Sequence, residues 1–284
     1  MAFVLVQADK DLFAVYQTIY SDTDIERWYD WQRRLEDTKW TDDCYFLLRD
    51  GIRIGGAILT GQSLLYPFLI PPYCDRTEFW QALLRLRDIR HINGVLAQDA
   101  ALLPMFGYRA QSVRQVMCRP VEPCDVVLPE GFSMRAILPE RDMAAVGAVL
   151  CAGYDGGIDY EVFGEASLDE AVDDARRVLG IYAPHNFSHV VEDTNTQKIV
   201  GVCLAGIGKG YVHQFVEIAD LCVAPSHRGR GLARAMIDKV LSDACGSSPF
   251  AKLCVTMGNP AEYLYRRMGF QPGPQFANFV RRGK

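Results

Sequence analysis

Short runs that alternate hydrophobic and polar residues recur along the second half of the chain, separated by segments of helical periodicity. Strands are predicted at 132–136, 187–192, 198–207, 212–224, 252–257 and 276–281. Helices are predicted at 141–153, 167–179, 228–244 and 260–268, because their hydrophobic residues recur every three to four positions. This order predicts an α/β (α+β) fold in which a mixed, mostly antiparallel sheet is flanked by helices.

The first half repeats the order in a weaker form. Strands are predicted at 44–49, 53–60, 65–69 and 92–98, with an amphipathic helix at 76–87. Both halves also end alike, since Gly107-Tyr108 precedes a strand at 113–117 and Gly269-Phe270 precedes one at 276–281. We interpret the repetition as a duplication that produced two tandem domains.

A segment rich in proline separates the halves. Pro120, Pro123 and Pro129 lie close together and are followed by Gly131. Such residues interrupt regular elements and often mark a linker. We therefore predict one domain at 1–125 and a second at 126–284, both of ordinary domain size.

Composition and charge narrow the class of function. The 284 residues are 49% hydrophobic and 23% charged, with a net charge of −5, which is typical of a soluble globular protein. A nucleic-acid partner is not expected, because such proteins carry a basic stripe. No apolar run approaches the ~20 residues that span a bilayer, and the N-terminus lacks a basic signal region. We expect no membrane partner and a cytoplasmic location.

The nine cysteines predict neither disulfides nor a metal site. Their number is odd, and no two of them form a CxxC pair. Zinc sites need closely spaced ligand pairs, so no metal is expected. Cys203, Cys222 and Cys254 lie in apolar strand-like runs, where a reduced thiol packs as a small hydrophobic residue.

The turn before the helix at 228–244 carries the clearest chemistry. Pro225 ends the preceding strand, and the helix then opens with Arg228-Gly229-Arg230-Gly231. The first N–H groups of a helix have no intrahelical partner and lie at the positive end of its dipole. Glycine lets a ligand approach these groups closely. The turn therefore predicts a pyrophosphate site, to which both arginines add positive charge.

This run, continued by Leu232-Ala233, resembles the R/Q-x-x-G-x-G/A signature of the GNAT acetyltransferase superfamily. About thirty residues downstream, the segment from Asn259 through Tyr265 to Gly269-Phe270 resembles that family's next motif, and two motifs in order are far more specific than one. The resemblance implies tandem GNAT-like domains, acetyl-CoA as the acyl donor and no metal. The catalytic domain would be 126–284. The corresponding turn at 70–80 contains no glycine, so we predict that 1–125 is a degenerate domain that lacks the coenzyme turn.

The resemblance also implies roles for individual residues. The backbone of Leu221 and Val223 would pair with the pantetheine arm, and the Val223 amide would donate to the thioester carbonyl. Tyr265 matches the general acid that protonates the departing thiolate. The coenzyme-binding residues so implied are Leu221, Cys222, Val223, Arg228, Gly229, Arg230, Gly231, Leu232, Ala233 and Asn259.

Two acids on the strand before the turn are candidates for the base that deprotonates the amine. Because side chains alternate along a strand, Glu217 and Asp220 are predicted to point to opposite faces. We predict Glu217 as the catalytic base, with Asp220 or a water as alternatives. Cys222 is not expected to act as a covalent nucleophile, because only His213 and His227 lie loosely near it. Direct attack of the amine on the thioester follows.

An acidic segment is predicted to bind the acceptor. Residues 154–174 contain eight carboxylates and no Lys or Arg, and an acidic rim attracts a cationic amine. A solvated helix face is the alternative, and it explains Asp169 and Glu170 well. We predict that Tyr154, Asp155 and Asp159 bind the acceptor.

These observations predict an N-acetyltransferase that moves an acetyl or other acyl group to a primary amine of a small molecule or peptide. A non-catalytic acyl-CoA-binding or assembly module is the alternative. A tandem-domain aminoacyl or thiol-conjugate transferase would need a different donor or a larger acceptor pocket.

Overall fold

The computed structural model describes residues 2–20, 41–182, 186–207 and 215–283, which form two compact units. The first unit comprises Met1–Gln115 and Gly273–Lys284, and the second comprises Val116–Pro272. The boundary predicted near residue 125 therefore lies inside the second unit. The chain passes from the first unit to the second between Gln115 and Val116, within a strand. The proline-rich segment on which the predicted boundary was based comes after this point.

The described part of the first unit is a mixed sheet in the order β1-β2-β3-β4-β5-β12-β6. Strands β1 to β4 pair antiparallel, β4 pairs parallel with β5, and β12 pairs antiparallel with β5. Phe79 and Trp80 are buried in its core. The elements are β1 (Phe3–Gln7), α1 (Lys10–Tyr20), β2 (Cys44–Arg49), β3 (Ile52–Thr60), β4 (Ser63–Leu69), α2 (Arg76–Leu86), β5 (His91–Leu96), α3 (Ala97–Ala100), β6 (Tyr108–Pro120) and β12 (Gln271–Arg281).

The second unit has the strand order β6-β11-β10-β9-β8-β7, in which β10 and β11 are parallel. Its own elements are β7 (Phe132–Ala136), α4 (Pro139–Tyr154), α5 (Ile158–Phe163), α6 (Leu168–Tyr182), β8 (His189–Asp193), β9 (Lys198–Gly206), β10 (Phe215–Val223), α7 (Leu232–Ala244), β11 (Phe250–Thr256) and α8 (Ala261–Arg267). The predicted α/β class, with mixed and mostly antiparallel pairing, is confirmed. Part of the strand predicted at 212–224 and His213 lie outside the described residues.

Two layers of helices cover the sheet of the second unit. The amphipathic helix α7 buries Met236, Ile237 and Val240 against one face, and α4 and α6 bury a second cluster against the other. Gly147 allows α4 to pack closely on α6, because a Cβ there would lie 2.6 Å from Val172. This packing sets the position of the C-terminal end of α4 over the sheet.

Each unit is completed by a strand from the other half of the sequence. Strand β12, at the end of the chain, pairs with β5 in the first unit. Strand β6 ends in the second unit, where it neighbours β11. The strands predicted after the two Gly-aromatic turns are thus present, but β12 lies in the first unit and β6 contributes to both units. Alternation of hydrophobic residues predicts a strand but does not specify its partner.

Candidate active site

Strands β10 and β11 separate part of the way along their length. Residues 215–218 pair with 250–253, and within the described chain this pairing does not extend to the end of β10. The other edge of β10 stays paired with β9 as far as Val223. The amide of Ala224 donates to Val200 at 2.8 Å, so the alternate amides of Leu221 and Val223 point to the β11 side. Two amides therefore face the opening, as binding of an acyl-donor arm would require.

A β-bulge changes the directions of the two candidate bases. The register of β10 against β9 shifts between Ile218 and Asp220, which leaves Ala219 as an extra residue. Ile218 and Leu221 consequently both pack toward α7. Glu217 and Asp220 share the opposite face, so the prediction that they point to opposite faces is wrong. The period of two holds only for a strand without a bulge.

Asp220 lies beside the C-terminal residue of α4. The hydroxyl of Tyr154 donates to Asp220 Oδ1 at 2.7 Å. Burial, together with the nearby carboxylate, raises the pKa of Tyr154 well above its ordinary value, which keeps this hydroxyl a donor. Glu217 instead forms an ion pair with the buried Lys252, with 3.4 Å between Nζ and Oε1.

Arg228 fastens the end of α4 to the end of β10. Its guanidinium donates to Gly153 O at 2.6 Å and to Val223 O at 3.3 Å. Gly153 permits the close packing beneath this contact, because a Cβ there would lie 2.9 Å from Cys222 Sγ. The side chain of Arg228, predicted to bind coenzyme, thus also holds the framework of the opening.

The turn from β10 to α7 exposes the start of the helix. Gly229 and Gly231 have φ values of +76° and +84°, which glycine adopts without strain. Gly231 is the N-cap and has no side chain to satisfy the first amides, and the helical bonding begins at Ala235 N–H to Gly231 O. The amides of Leu232 and Ala233 come before Ala235 in the chain, and they are therefore among the first amides of the helix, which have no carbonyl partner within it. A Cβ at Gly229 would meet no described atom within 4 Å, so a ligand has room to approach.

Two side chains that the sequence did not single out as a pair support this turn. His227 Nε2 lies 3.3 Å from Asp193 Oδ2, and His227 Nδ1 lies 2.9 Å from Ser226 Oγ. The amides of Asn195 and Thr196 lower the pKa of Asp193, so it is anionic beside His227. The guanidinium of Arg230 also lies over the ring of Phe132, with 6.0 Å between Cζ and the ring centroid. Asp193 lies in the distant β8–β9 turn, and nothing in its local sequence indicated this contact.

Tyr265 on α8 is 8% exposed and packs edge-on against Phe270 at 6.1 Å. Its hydroxyl makes no hydrogen bond with the described residues. Burial raises the pKa of Tyr265 far above its ordinary value, with further contributions from nearby Cys222, Asp159 and Asp220. The phenol therefore carries its proton, and Tyr265 belongs to the hydrophobic cluster against which Leu221 and Val223 pack.

The acidic helix α5 is attached at the end of β11. Asp159 accepts from Thr256 Oγ1 at 2.5 Å and from Asn259 Nδ2 at 2.9 Å. Asn259 Oδ1 also accepts from the amide of Ala261, the first residue of α8, at 2.9 Å. Asn259, predicted to bind coenzyme, therefore has contacts within the chain through both polar atoms. Asp155 is exposed at the end of α4, with no described side-chain contact.

Cys222 is buried among α4 and α6. Burial is the main cause that raises its pKa to about 12, so the thiol is protonated and a poor nucleophile. This agrees with the prediction that Cys222 is not a covalent catalyst. Within the described residues, no group of His, Cys, Asp and Glu could hold a metal ion, and no helix is long and apolar enough to cross a membrane.

The corresponding region of the first unit contains an aromatic ring and a carboxylate. Pairing of β4 with β5 ends at Leu65 and Asn93. Just beyond it, the ring of Tyr66 packs on Gly94, since a Cβ added there would lie 2.3 Å from the ring. At the start of α2, the carboxylate of Asp75 accepts from the amide of Glu78 at 2.9 Å, so this amide already has a partner.

Comparison with known proteins identifies one domain of the chain. Residues 184–272 match the model of the acetyltransferase (GNAT) domain. These residues lie in the second unit and include the β10–α7 turn. No curated protein sequence matches the chain.

Solved structures show the same tandem fold. A GCN5-related N-acetyltransferase from Sphaerobacter thermophilus is similar over 99% of this chain and 97% of its own, with a TM-score of 0.74 and 18% identity. A tandem GNAT protein from the clavulanic acid biosynthesis pathway matches 100% and 99% of the two chains, with a TM-score of 0.58 and 13% identity. A GNAT-family acetyltransferase from Colwellia psychrerythraea matches 99% and 100%, with a TM-score of 0.62 and 10% identity. At these identities the likeness establishes the fold.

Proposed function

We propose that the protein is an N-acetyltransferase that moves the acetyl group of acetyl-CoA to a primary amine of a small molecule or peptide. This proposal rests on the opening between β10 and β11, which leads to the glycine turn at the start of α7. An extended thioester arm and a diphosphate need these two features together. The coarser assignment, to a GNAT acetyltransferase family, rests on the matched domain.

Binding of the donor would use mainly backbone groups. The diphosphate would lie on the amides of Leu232 and Ala233, where the helix dipole favours negative charge. Arg230 adds a cation at the edge of the turn. Gly229 leaves the approach open. The pantetheine arm would pair with Leu221 and Val223, whose amides point into the opening.

The chemical step would be direct attack of a neutral amine on the thioester carbon. The N–C bond forms as the C–S bond breaks, and the Val223 amide donates to the oxygen on which charge develops. The amine's proton passes to a carboxylate on β10, and Tyr265 gives a proton to the departing sulfur. Its buried, protonated phenol suits this role.

Asp220 is better placed than Glu217 to receive the amine's proton. Both acids share one face, but Asp220 lies beyond the point where β10 and β11 separate. Glu217 lies in the paired part, away from the opening, and its carboxylate forms an ion pair with Lys252. We therefore propose Asp220 as the base, positioned by the Tyr154 hydroxyl.

We propose that the first unit is not catalytic. The ring of Tyr66 packs on Gly94 next to the end of the β4–β5 pairing, and Asp75 accepts from an amide at the start of α2. A diphosphate there would meet a carboxylate in place of free amides. One donor site per chain is therefore expected, which a binding titration measures as a stoichiometry.

Release of free thiol from acetyl-CoA in the presence of a panel of primary amines tests the proposed function. We expect amine-dependent thiol release with at least one amine and formation of the acetylated amine by mass spectrometry. Saturable acetyl-CoA binding without turnover of any amine would instead indicate a non-catalytic acyl-CoA-binding module.

The choice of base is tested by comparing two variants in the same assay. We expect Asp220→Asn to lower kcat by about 100-fold, because general-base catalysis contributes roughly 10²–10⁴. Glu217→Gln is the matched control on the same strand face and is expected to change kcat by about threefold or less. The reverse ranking would assign the base to Glu217.

A further inference from the structure

The turn between β10 and α7 is joined to the β8–β9 turn by one side chain. His227 Nε2 lies 3.3 Å from Asp193 Oδ2, and His227 Nδ1 lies 2.9 Å from Ser226 Oγ. Because the carboxylate accepts, a neutral imidazole carries its proton on Nε2, and Nδ1 then accepts from the Ser226 hydroxyl. Two hydrogen bonds in series therefore connect the turn before α7 to a different hairpin.

The carboxylate at the far end of this series has a fixed position. The amides of Asn195 and Thr196 donate to Asp193 Oδ1 at 2.8 and 3.1 Å, and its other oxygen faces the imidazole. The amide and the hydroxyl of Thr194 both donate to Gly131 O, at 2.9 and 3.0 Å. The β8–β9 turn is thus held by its own hydrogen bonds, and it provides a rigid attachment point for the imidazole.

Packing also orients the imidazole. The ring of Phe132 stands edge-on to that of His227, with 6.0 Å between the centroids. The guanidinium of Arg230 lies over the same phenyl ring and donates to Ser226 O at 3.4 Å. The side chain of His227 is 19% exposed, so neighbouring groups rather than water determine its direction.

Two glycines downstream give this attachment a consequence for coenzyme binding. Gly229 and Gly231 are in the left-handed region, and glycine loses more conformational freedom on ordering than any other residue. A turn that a ligand must first order binds that ligand more weakly, because the cost of ordering is subtracted from the binding free energy. Arg228 ties the turn to α4, and the imidazole ties it to the β8–β9 turn.

We propose that His227 and Asp193 are positioning residues that hold the β10–α7 turn in the conformation in which its first helical amides bind the diphosphate. This inference rests on the proposed transferase function and adds to it a residue of another hairpin. The pair acts on donor binding and not on the chemical step. Its loss therefore raises the Kd of acetyl-CoA and leaves kcat at saturating donor unchanged.

Isothermal titration calorimetry with acetyl-CoA measures this effect in two single variants and in their double variant. His227→Phe keeps a ring against Phe132 but removes both nitrogens. Asp193→Ser keeps an oxygen for the turn amides but is too short to reach the imidazole. We expect each single variant to raise Kd about 10-fold, the order of one hydrogen bond to a charged group. The double variant should bind no more weakly than either single variant, because all three lack the same contact.

Two further variants separate this role from a structural one. His227→Gln places an amide donor near the position of Nε2, so Kd should return to within about threefold of the wild type. Asn195→Ala changes an exposed side chain of the same β8–β9 turn and should leave Kd unchanged. With an active amine and saturating acetyl-CoA, kcat should stay within about threefold in every variant. Circular dichroism melting of each variant reports stability separately.

Four outcomes would overturn the inference. An unchanged Kd in both single variants would show that donor binding does not depend on the contact. A lower melting temperature with an unchanged Kd would make the pair a packing contact only. Losses that add in the double variant would show that the two residues act independently. A wild-type protein that does not bind acetyl-CoA would refute the proposed function, and the inference with it.

Discussion

Gly231→Glu is expected to weaken acetyl-CoA binding by at least about 100-fold. The new carboxylate would stand at the N-cap of α7, where it would accept from the helix amides and repel the diphosphate. A loss of this size corresponds to about 2.7 kcal/mol, reasonable for replacing amide donors by a negative charge. Isothermal titration calorimetry of acetyl-CoA into the wild type and the variant measures the change.

Gly246→Glu is the matched control, because it adds the same charge near the other end of the same helix. Gly246 is exposed, has a φ of +82°, and a Cβ there would meet no described atom within 4 Å. Both variants therefore carry a similar backbone strain of roughly 1 kcal/mol. Equal loss of binding in the two would attribute the effect to strain and remove the turn from the coenzyme site.

Tyr265→Phe is expected to lower kcat by about 100-fold and to leave the KM for acetyl-CoA nearly unchanged. The phenol is buried and its hydroxyl has no partner among the described residues, so its removal leaves no unpaired group and costs little stability. It does remove the proton donor for the departing thiolate, which acts only in the chemical step. Steady-state kinetics with circular dichroism melting measures both effects.

Tyr263→Phe provides the comparison for this result. Tyr263 lies on the same helix but is 69% exposed, and its loss should change kcat by less than about twofold. A Tyr265→Phe enzyme with normal kcat would show that the thiolate leaves without help from this residue. A large fall in melting temperature with normal turnover would make Tyr265 a packing residue only.

The local chemistry of the site could be predicted because it depends on neighbouring residues. Prolines and glycines specify where β10 ends and α7 begins, and the α6 cap shows the same logic. Ser167 and Glu170 have the spacing of a capping box, and each side chain accepts from the other residue's amide, at 3.2 and 2.8 Å respectively. Sequence patterns that involve only neighbouring residues therefore predict where a strand ends and where a helix begins.

The directions and partners of side chains could not be predicted in the same way. The bulge at Ala219 reverses the alternation of side-chain directions after Ile218, and no residue type in this strand indicates a bulge. The contact of Asp159 with Asn259 joins residues a hundred positions apart. The pairing of β12 with β5, in the first unit, depends on which sheet edge the strand meets, and the strand's own sequence does not encode this. These features arise from tertiary packing.

The proposed function requires the amides at the start of α7 to bind the diphosphate of the acyl donor. A crystal structure of the protein with coenzyme A tests this binding. We expect diphosphate oxygens within hydrogen-bonding distance of the Leu232 and Ala233 amides, and the pantetheine arm beside Val223. Coenzyme A bound elsewhere, or these amides occupied by groups of the protein itself, would contradict it.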